Sequence, residues 1–136
     1  MTTEIDQARI ESLIKGAVDL HIHSGPSLHP RKIDHIEALR AADEAGMRAI
    51  LLKDHYYPTM PIATLLNDNM GKNTKVLSAI VLNHPLGGFN PSAVDYALKQ
   101  GADRVDADGP CREPYHQDGQ GPEGQVSREQ QEDGRS

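Results

Sequence analysis

Along the first hundred residues, apolar positions change repeatedly from helical spacing to continuous runs. Helical spacing predicts a helix from about Thr3 to Lys15, and an aliphatic run predicts a strand from Ala17 to His23. A helix and a strand then follow each other twice more, and a last helix ends the series. These further predicted elements are a helix from Pro30 to Gly46, a strand from Met47 to Lys53, a helix from Pro61 to Met70, a strand from Lys75 to Leu82 and a helix from Pro91 to Gln100.

The predicted strands are short, unbroken apolar runs, which is typical of a parallel sheet buried on both faces by crossover helices. Such units either close into an eight-stranded barrel or form an open doubly wound sheet. Three strand-helix units are too few to close a barrel. We therefore predict an α/β fold that corresponds to the N-terminal part of a TIM-like (β/α) barrel, over residues 1–104.

Residues 105–136 differ from this pattern in charge and in apolar content. The first 104 residues carry 11 Lys and Arg against 12 Asp and Glu, whereas the remainder carries 3 Arg against 8 acidic residues. Most of the net charge of −6 therefore belongs to this segment, which we predict to be a disordered tail. Because the chain offers no basic surface to neutralise phosphates, a nucleic-acid partner is not expected.

The chain has one cysteine, Cys111, so an intramolecular disulfide and a cysteine-based zinc site are both excluded. No apolar run reaches the roughly 18 residues that a membrane helix requires. The first ten residues also lack the basic and apolar regions of a secretory signal. A cytoplasmic protein without a membrane partner is the expectation.

The stretch VDLHIHSGP, from Val18 to Pro26, places two histidines and an aspartate at alternate positions of an aliphatic run. Residues two apart on a strand share a face, so Asp19, His21 and His23 should project together at the carboxyl end of their strand, where α/β sites are assembled. Two imidazoles can bind one divalent metal, zinc, manganese or iron, with Asp19 orienting a ring or adding an oxygen ligand. The alternative is an exposed pair of histidines that merely ends a strand.

Polar residues also end the next two predicted strands. Lys53 and His55 follow one run and His84 follows the other, and in a parallel sheet these strand ends meet at one edge. His55 is expected to act as a ligand or as an acid/base group beside a metal-bound water. Lys53 would either neutralise an anionic substrate or transition state, or form an ion pair with Asp19. His84 would either bind substrate or cap its loop.

Five further residues have less distinctive positions. Arg31 is predicted at the first turn of the helix after the histidine pair, where it either meets a carboxylate or phosphate of a substrate or lies on a solvated face. Asp54 is interpreted as a turn residue. His29, His35 and His116 are interpreted as bystanders, in a loop, on the exposed side of a helix and in the tail respectively.

The segments VDLHIHSGP and EAGMRAILLKDHYYPT resemble the opening of metal-dependent hydrolases of the amidohydrolase and PHP (polymerase and histidinol phosphatase) type, and look closest to a poorly characterised amidohydrolase-like family. His21 and His23 match the metal-binding pair of the first strand, and Asp54 and His55 match an Asp-His pair after the second. The resemblance covers residues from about 17 to 102. It implies a (β/α) barrel that hydrolyses an amide, ester or phosphoester of a small molecule through metal-activated water.

The chain departs from that pattern because the later strands, which supply further ligands in such barrels, are missing. A carbamylated lysine belongs to a later strand, so that role cannot be transferred to Lys53. With an incomplete ligand set and an open sheet, such a chain should bind metal weakly and should be unstable or depend on self-association.

A fourth buried strand is due after Gly101, yet the chain becomes polar there. Writing possible codons for Asp103 to Gly109 and shifting the reading frame by one base gives Ile-Val-Trp-Met-Pro-Thr-Val, the apolar strand that the topology requires. We therefore hypothesise that residues from about Asp103 onward are the out-of-frame product of an insertion or deletion. A disordered tail that evolved as such is the alternative.

These observations lead to one functional hypothesis and two alternatives. The chain is predicted to be a truncated metal-dependent hydrolase, with a small-molecule substrate that the sequence does not identify. A non-catalytic protein that binds a metal or a small anion, and an inactive pseudogene product, are the alternatives.

Overall fold

The computed structural model describes residues 6–71 and 73–107, so Cys111, His116 and most of the predicted tail lie outside the described residues. The predicted order of helices and strands is confirmed as far as the fourth helix. The elements are α1 (Gln7–Ile14), β1 (Val18–Ile22), α2 (His35–Glu44), β2 (Ala49–Leu52), α3 (Met60–Asn69), β3 (Lys75–Val81), a short 3₁₀ helix (His84–Leu86), α4 (Pro91–Lys99) and β4 (Arg104–Asp106).

The four strands form one parallel sheet in the order β1-β2-β3-β4, curled into a half-barrel. In a doubly wound sheet the strand order reverses at a switch point, whereas in a (β/α) barrel each new strand is added beside the previous one. The observed order is therefore that of a barrel. Because the strands are parallel, their carboxyl ends lie at one edge of the sheet, which we call the carboxyl edge.

Helix α2 begins at His35, so the prediction that it starts near Pro30 is wrong. Its N-cap is Asp34, whose side chain accepts a hydrogen bond from the backbone N–H of Glu37 at 2.7 Å. The Glu37 carboxylate in turn accepts one from the backbone N–H of Asp34 at 2.9 Å. This capping box satisfies two backbone donors at once, and it is a stronger start signal than the proline four residues earlier.

The topology called for a fourth strand after Gly101, but the apolar pattern did not identify one in the residues present, and β4 lies there. It pairs in parallel with Ala79–Val81 of β3, and two of its residues belong to the segment that the sequence assigned to the tail. Apolar patterning missed it because Val105 is the one apolar residue among its three and is itself 38% exposed. Pairing with the edge of β3, and not burial of apolar side chains, positions this strand.

The hydrophobic core lies between the sheet and the helices on its outer face. Ile50, Leu52 and Val76 of β2 and β3 pack against apolar residues of α2 and α3. All of β2 is buried, because neighbouring strands flank it on both sides. Strand β1 has a paired neighbour on one side only within the described part of the chain, and its Val18 and Leu20 remain exposed.

Candidate functional site

Two histidine rings face each other at the carboxyl edge, at the end of β1. The Nε2 atoms of His21 and His23 are 3.0 Å apart, and the rings are 64° from parallel. At this distance one neutral ring donates its proton to the lone pair of the other. Two nitrogens bound to one tetrahedral zinc ion, each at about 2.0–2.1 Å, lie roughly 3.3–3.4 Å apart. The pair therefore has nearly the donor spacing that a shared cation requires.

A bulge in β1 separates this pair from Asp19. Between Asp19 and Ile22 the register shifts, so that three steps along β1 match two along β2. The strict alternation on which the sequence prediction rested is therefore interrupted. The exposed Asp19 carboxylate accepts a hydrogen bond from the backbone N–H of His21 at 2.9 Å, so its partner is the backbone of its own strand.

His55, just beyond β2, brings a third ring to the same place. Its ring stacks on that of His23 with centroids 4.6 Å apart and planes 21° from parallel. The amide nitrogen of the buried Asn83 lies 3.1 Å from His55 Nδ1, so in this orientation Nδ1 accepts and the proton is on Nε2. Rotating the Asn83 amide would present its oxygen instead, which would fix the proton on Nδ1 and make Nε2 the nitrogen that carries the lone pair.

The electrostatic environment favours the neutral form of His23. Burial lowers the pKa of His23, and the positive charges of His55, Arg31 and His21 lower it further. Hydrogen bonding with the Lys53 backbone acts in the opposite direction. Because a metal competes with protons for the imidazole lone pair, a lowered pKa favours metal binding at neutral pH.

Lys53 is buried, with 2% of its surface exposed, and its ammonium nitrogen lies 3.0 Å from the carboxylate of Asp106 on β4. The sequence had left two roles open for Lys53, neutralising an anionic substrate or pairing with Asp19, and the observed partner, Asp106, was not among them. Asp106 also accepts a hydrogen bond from the Arg104 guanidinium. Burial alone would raise the pKa of Asp106, but the hydrogen bonds and charges of Lys53 and Arg104 together lower it. This network connects the ends of β2 and β4 across β3.

His35 is buried, with 4% of its surface exposed, so its interpretation as a ring on the exposed side of a helix is wrong. The Tyr57 hydroxyl donates to the Pro26 carbonyl, so His35 Nε2 must donate to that hydroxyl, at 2.9 Å. The remaining ring nitrogen, Nδ1, then accepts from the Ser24 hydroxyl at 2.6 Å. We call this series of side chains, Ser24, His35 and Tyr57, the buried relay.

The protonation states of the buried relay agree with this assignment. Burial lowers the pKa of His35, against the opposing charges of Asp54 and Asp34, so the ring is neutral near pH 7. Burial, reinforced by the Asp54 charge, raises the pKa of Tyr57 to about 12. Both groups therefore keep the protons that the relay requires.

The other predicted residues lie in the segments that follow β1, β2 and β3. The prediction that Arg31 lies at the first turn of α2 is wrong, because the helix begins at His35 and Arg31 is half-buried in the loop before it. His84 is exposed at the start of the 3₁₀ helix, and no hydrogen bond or ring contact connects it with the histidines in the described part of the chain. His29 is in a loop, as predicted, with its Nε2 2.8 Å from the Tyr56 hydroxyl. Asp54 is a turn residue, as predicted, because its carboxylate accepts from the Tyr56 backbone N–H at 2.8 Å.

Sequence reasoning missed Asn83, Asp106 and the buried relay. Asn83 immediately precedes the histidine that was selected, so its position at a strand end was the available signal. Asp106 belonged to a strand with no apolar signature. The relay joins Ser24, His35 and Tyr57, which are far apart in sequence, and no local pattern predicts such contacts.

The described residues contain neither a larger group of metal-ligating side chains nor a membrane-spanning helix. Across residues 6–71 and 73–107, no three His, Cys, Asp or Glu side chains are grouped so as to hold a metal ion. Nor does any helix in those ranges combine the length and the apolar character that crossing a membrane demands.

Comparison with known proteins identifies the family. The model of a family of unknown function, DUF6282, matches residues 16–129, so the chain belongs to that family. The matched region extends past Asp103 and thus includes the segment that the frameshift hypothesis assigns to another reading frame. No curated protein and no solved structure matches the chain.

Proposed function

We propose that this member of a family of unknown function is a metal-dependent hydrolase of small molecules. The observation that supports the proposal is the approach of His21, His23 and His55 at the carboxyl edge, where barrel enzymes place their active sites. His21 and His23 would hold the divalent metal, because their facing nitrogens match it in type and nearly in spacing. Such a metal supplies Lewis-acid activation of water and of the scissile bond.

The roles of the neighbouring side chains follow from their contacts. His55, held at Nδ1 by Asn83, would transfer a proton through Nε2. Lys53 would not act as a base in this arrangement, since its ammonium group is paired with Asp106. We assign it to holding the strand ends together, with an effect on a substrate only through its charge.

A non-catalytic metal-binding protein is the second candidate. It is favoured by the fact that the described residues provide two convergent nitrogens without a third grouped ligand.

We also propose, for this candidate and for the enzyme, that copies of the chain associate through the exposed β1 side of the sheet, where Val18 and Leu20 would become buried.

The decisive experiment combines metal binding with turnover. Zinc, manganese and iron are titrated into the full chain, and hydrolysis of phosphoester, ester and amide panels is measured with each. We expect the double variant His21→Ala/His23→Ala to bind metal at least about 100-fold more weakly, a larger loss than removal of an outer-shell partner causes, and to lose turnover. His116→Ala, a histidine outside the described residues, is the matched control.

The outcomes separate the candidates. Turnover that requires both metal and the histidine pair supports the hydrolase. Stoichiometric metal that is lost in the double variant, without turnover of any panel, supports the binding protein. Equal metal binding by the double variant and the control would exclude both.

A further inference from the structure

The loop between β1 and α2 closes on itself above the carboxyl edge. The backbone N–H of Gly25 donates to the Ile33 carbonyl at 2.8 Å, and the N–H of His35 donates to the Gly25 carbonyl at 2.8 Å. Residues 26–32 therefore form a loop whose two ends are held together by hydrogen bonds to Gly25. The loop begins at Pro26, close in sequence to His23.

Three hydrogen-bonding atoms inside this loop lack partners. The Nε and Nη2 atoms of Arg31 and the hydroxyl oxygen of Ser27 are shielded from solvent, and none forms a hydrogen bond within the described part of the chain. Buried polar atoms are nearly always paired, because leaving them unpaired destabilises the fold. A guanidinium has only donors, so the partner that would satisfy it is an acceptor, and its fixed charge favours an anion.

The loop also has room for such a partner. An open pocket of about 490 Å³ is bounded by this loop and the start of α2, and Ser27, His29, Arg31 and Lys32 line it. The carboxylates of Asp34 and Glu37 line it as well, but both accept backbone hydrogen bonds in the capping box of α2. Among the residues that line this pocket, the side-chain groups that still lack a partner are the Arg31 guanidinium and the Ser27 hydroxyl, and both can donate.

The Arg31 guanidinium lies within electrostatic range of the histidine site. Its positive charge contributes to lowering the pKa of His23 and opposes the rise in the pKa of Tyr57.

We propose that Ser27 and Arg31 form a subsite for the oxyanion group, phosphate or carboxylate, of a small-molecule substrate. Nε and Nη2 of Arg31 are the two parallel donors of a side-on guanidinium, which match two oxygens of such a group. The Ser27 hydroxyl adds a third donor. As the anchor of a substrate this rests on the proposed hydrolase function, but as an anion site it can be tested alone.

The test measures binding of inorganic phosphate and of acetate to the full chain by calorimetry, in a non-coordinating buffer with a chelator so that no metal is present. We expect saturable binding of at least one probe. Arg31→Gln should weaken it at least about tenfold, and Ser27→Ala should weaken it by a smaller factor. Arg31→Lys, which keeps the charge and loses the paired donors, should fall between wild type and Arg31→Gln.

Two controls distinguish the subsite from other causes. Arg48→Gln removes an exposed arginine just before β2, at the opposite edge of the sheet, and should bind the probe as wild type does. The metal-free condition is the second control, because probe binding measured with a chelator present does not depend on whether the metal site exists. Circular dichroism confirms that each variant is folded.

The results either support or overturn the proposed subsite. Preference for phosphate or for acetate identifies which oxyanion the site accepts. No binding of either probe by the wild type, wild-type affinity in both Arg31→Gln and Ser27→Ala, or an equal loss in Arg48→Gln would each overturn the proposal.

Discussion

His35 of the buried relay and the pair His21 and His23 differ in how their ring nitrogens are satisfied. In the buried relay, each nitrogen of His35 has a hydroxyl partner and the ring is almost fully enclosed. In the pair at the end of β1, His21 is exposed and its Nε2 faces the Nε2 of His23. The relay uses its histidine to hold a loop in place, whereas the pair leaves lone pairs where a ligand can reach them.

Two ion pairs of lysine within residues 6–71 and 73–107 differ in the same manner. Lys53 and Asp106 are enclosed and connect two strands, whereas Lys99 and Asp95 are exposed on one turn of α4. A charge that is enclosed and paired destabilises the fold when its partner is removed, while an exposed pair contributes little. Enclosure of the polar group, and not its residue type, therefore separates structural from available groups in this protein.

The largest effect is expected from His35→Ala. Removing the buried ring leaves a cavity and deprives Ser24 and Tyr57 of their partners, so the free energy of unfolding should fall by about 3 kcal/mol. His21→Ala removes an exposed ring and should change it by no more than about 0.5 kcal/mol. Urea denaturation followed by circular dichroism measures both, and equal losses would remove the distinction between relay and pair.

A smaller loss is expected from Lys53→Met. The Asp106 carboxylate would keep Arg104 but lose its buried partner, so the free energy of unfolding should fall by about 2 kcal/mol. Lys99→Met is the matched control and should cost no more than about 0.5 kcal/mol. If the two variants melt alike, the Lys53–Asp106 contact does not hold the strand ends together.

The smallest expected effect is a change in the stability contribution of Asp106 at acid pH. The pKa of Asp106 is lowered on folding from an ordinary value of 3.8, so the stabilisation from its ionised form is complete above that pH and is lost as the pH falls through the folded value. The stability difference between wild type and Asp106→Asn should therefore shrink below about pH 4. Thermal melts of both proteins between pH 5 and pH 2.5 measure it, and a constant difference would show that the carboxylate is not stabilised by folding.

The frameshift hypothesis stays a prediction. Sequencing the coding DNA across Gly101 to Asp108 tests it directly. An alternative frame that continues into further strand-helix repeats with His and Asp would support it, and early stop codons in both alternative frames would refute it. The position of Asp106 in the site depends on the answer, because it belongs to the segment concerned.

Much of the fold could be predicted from local pattern. Aliphatic runs identified β1, β2 and β3. Burial explains the runs of β2 and β3, since a strand covered on both faces needs apolar residues throughout. The expectation of burial on both faces was wrong for β1, whose residues are exposed or half-buried. The start of α2 was wrong because Pro30 was given more weight than the Asp34 and Glu37 side chains that cap the helix. Strand β4 was missed because its position comes from pairing with β3.

The sequence by itself determined the parallel α/β architecture and brought His21, His23 and His55 to one edge, because strand periodicity and parallel pairing follow from local pattern. Only the tertiary structure decided the partners: Asp106 for Lys53, Asn83 for His55, Ser24 and Tyr57 for His35. It also showed Arg31 and Ser27 with donors still unsatisfied. These contacts join residues far apart in the chain, and they depend on how the loops close over the sheet, which no short stretch of sequence specifies.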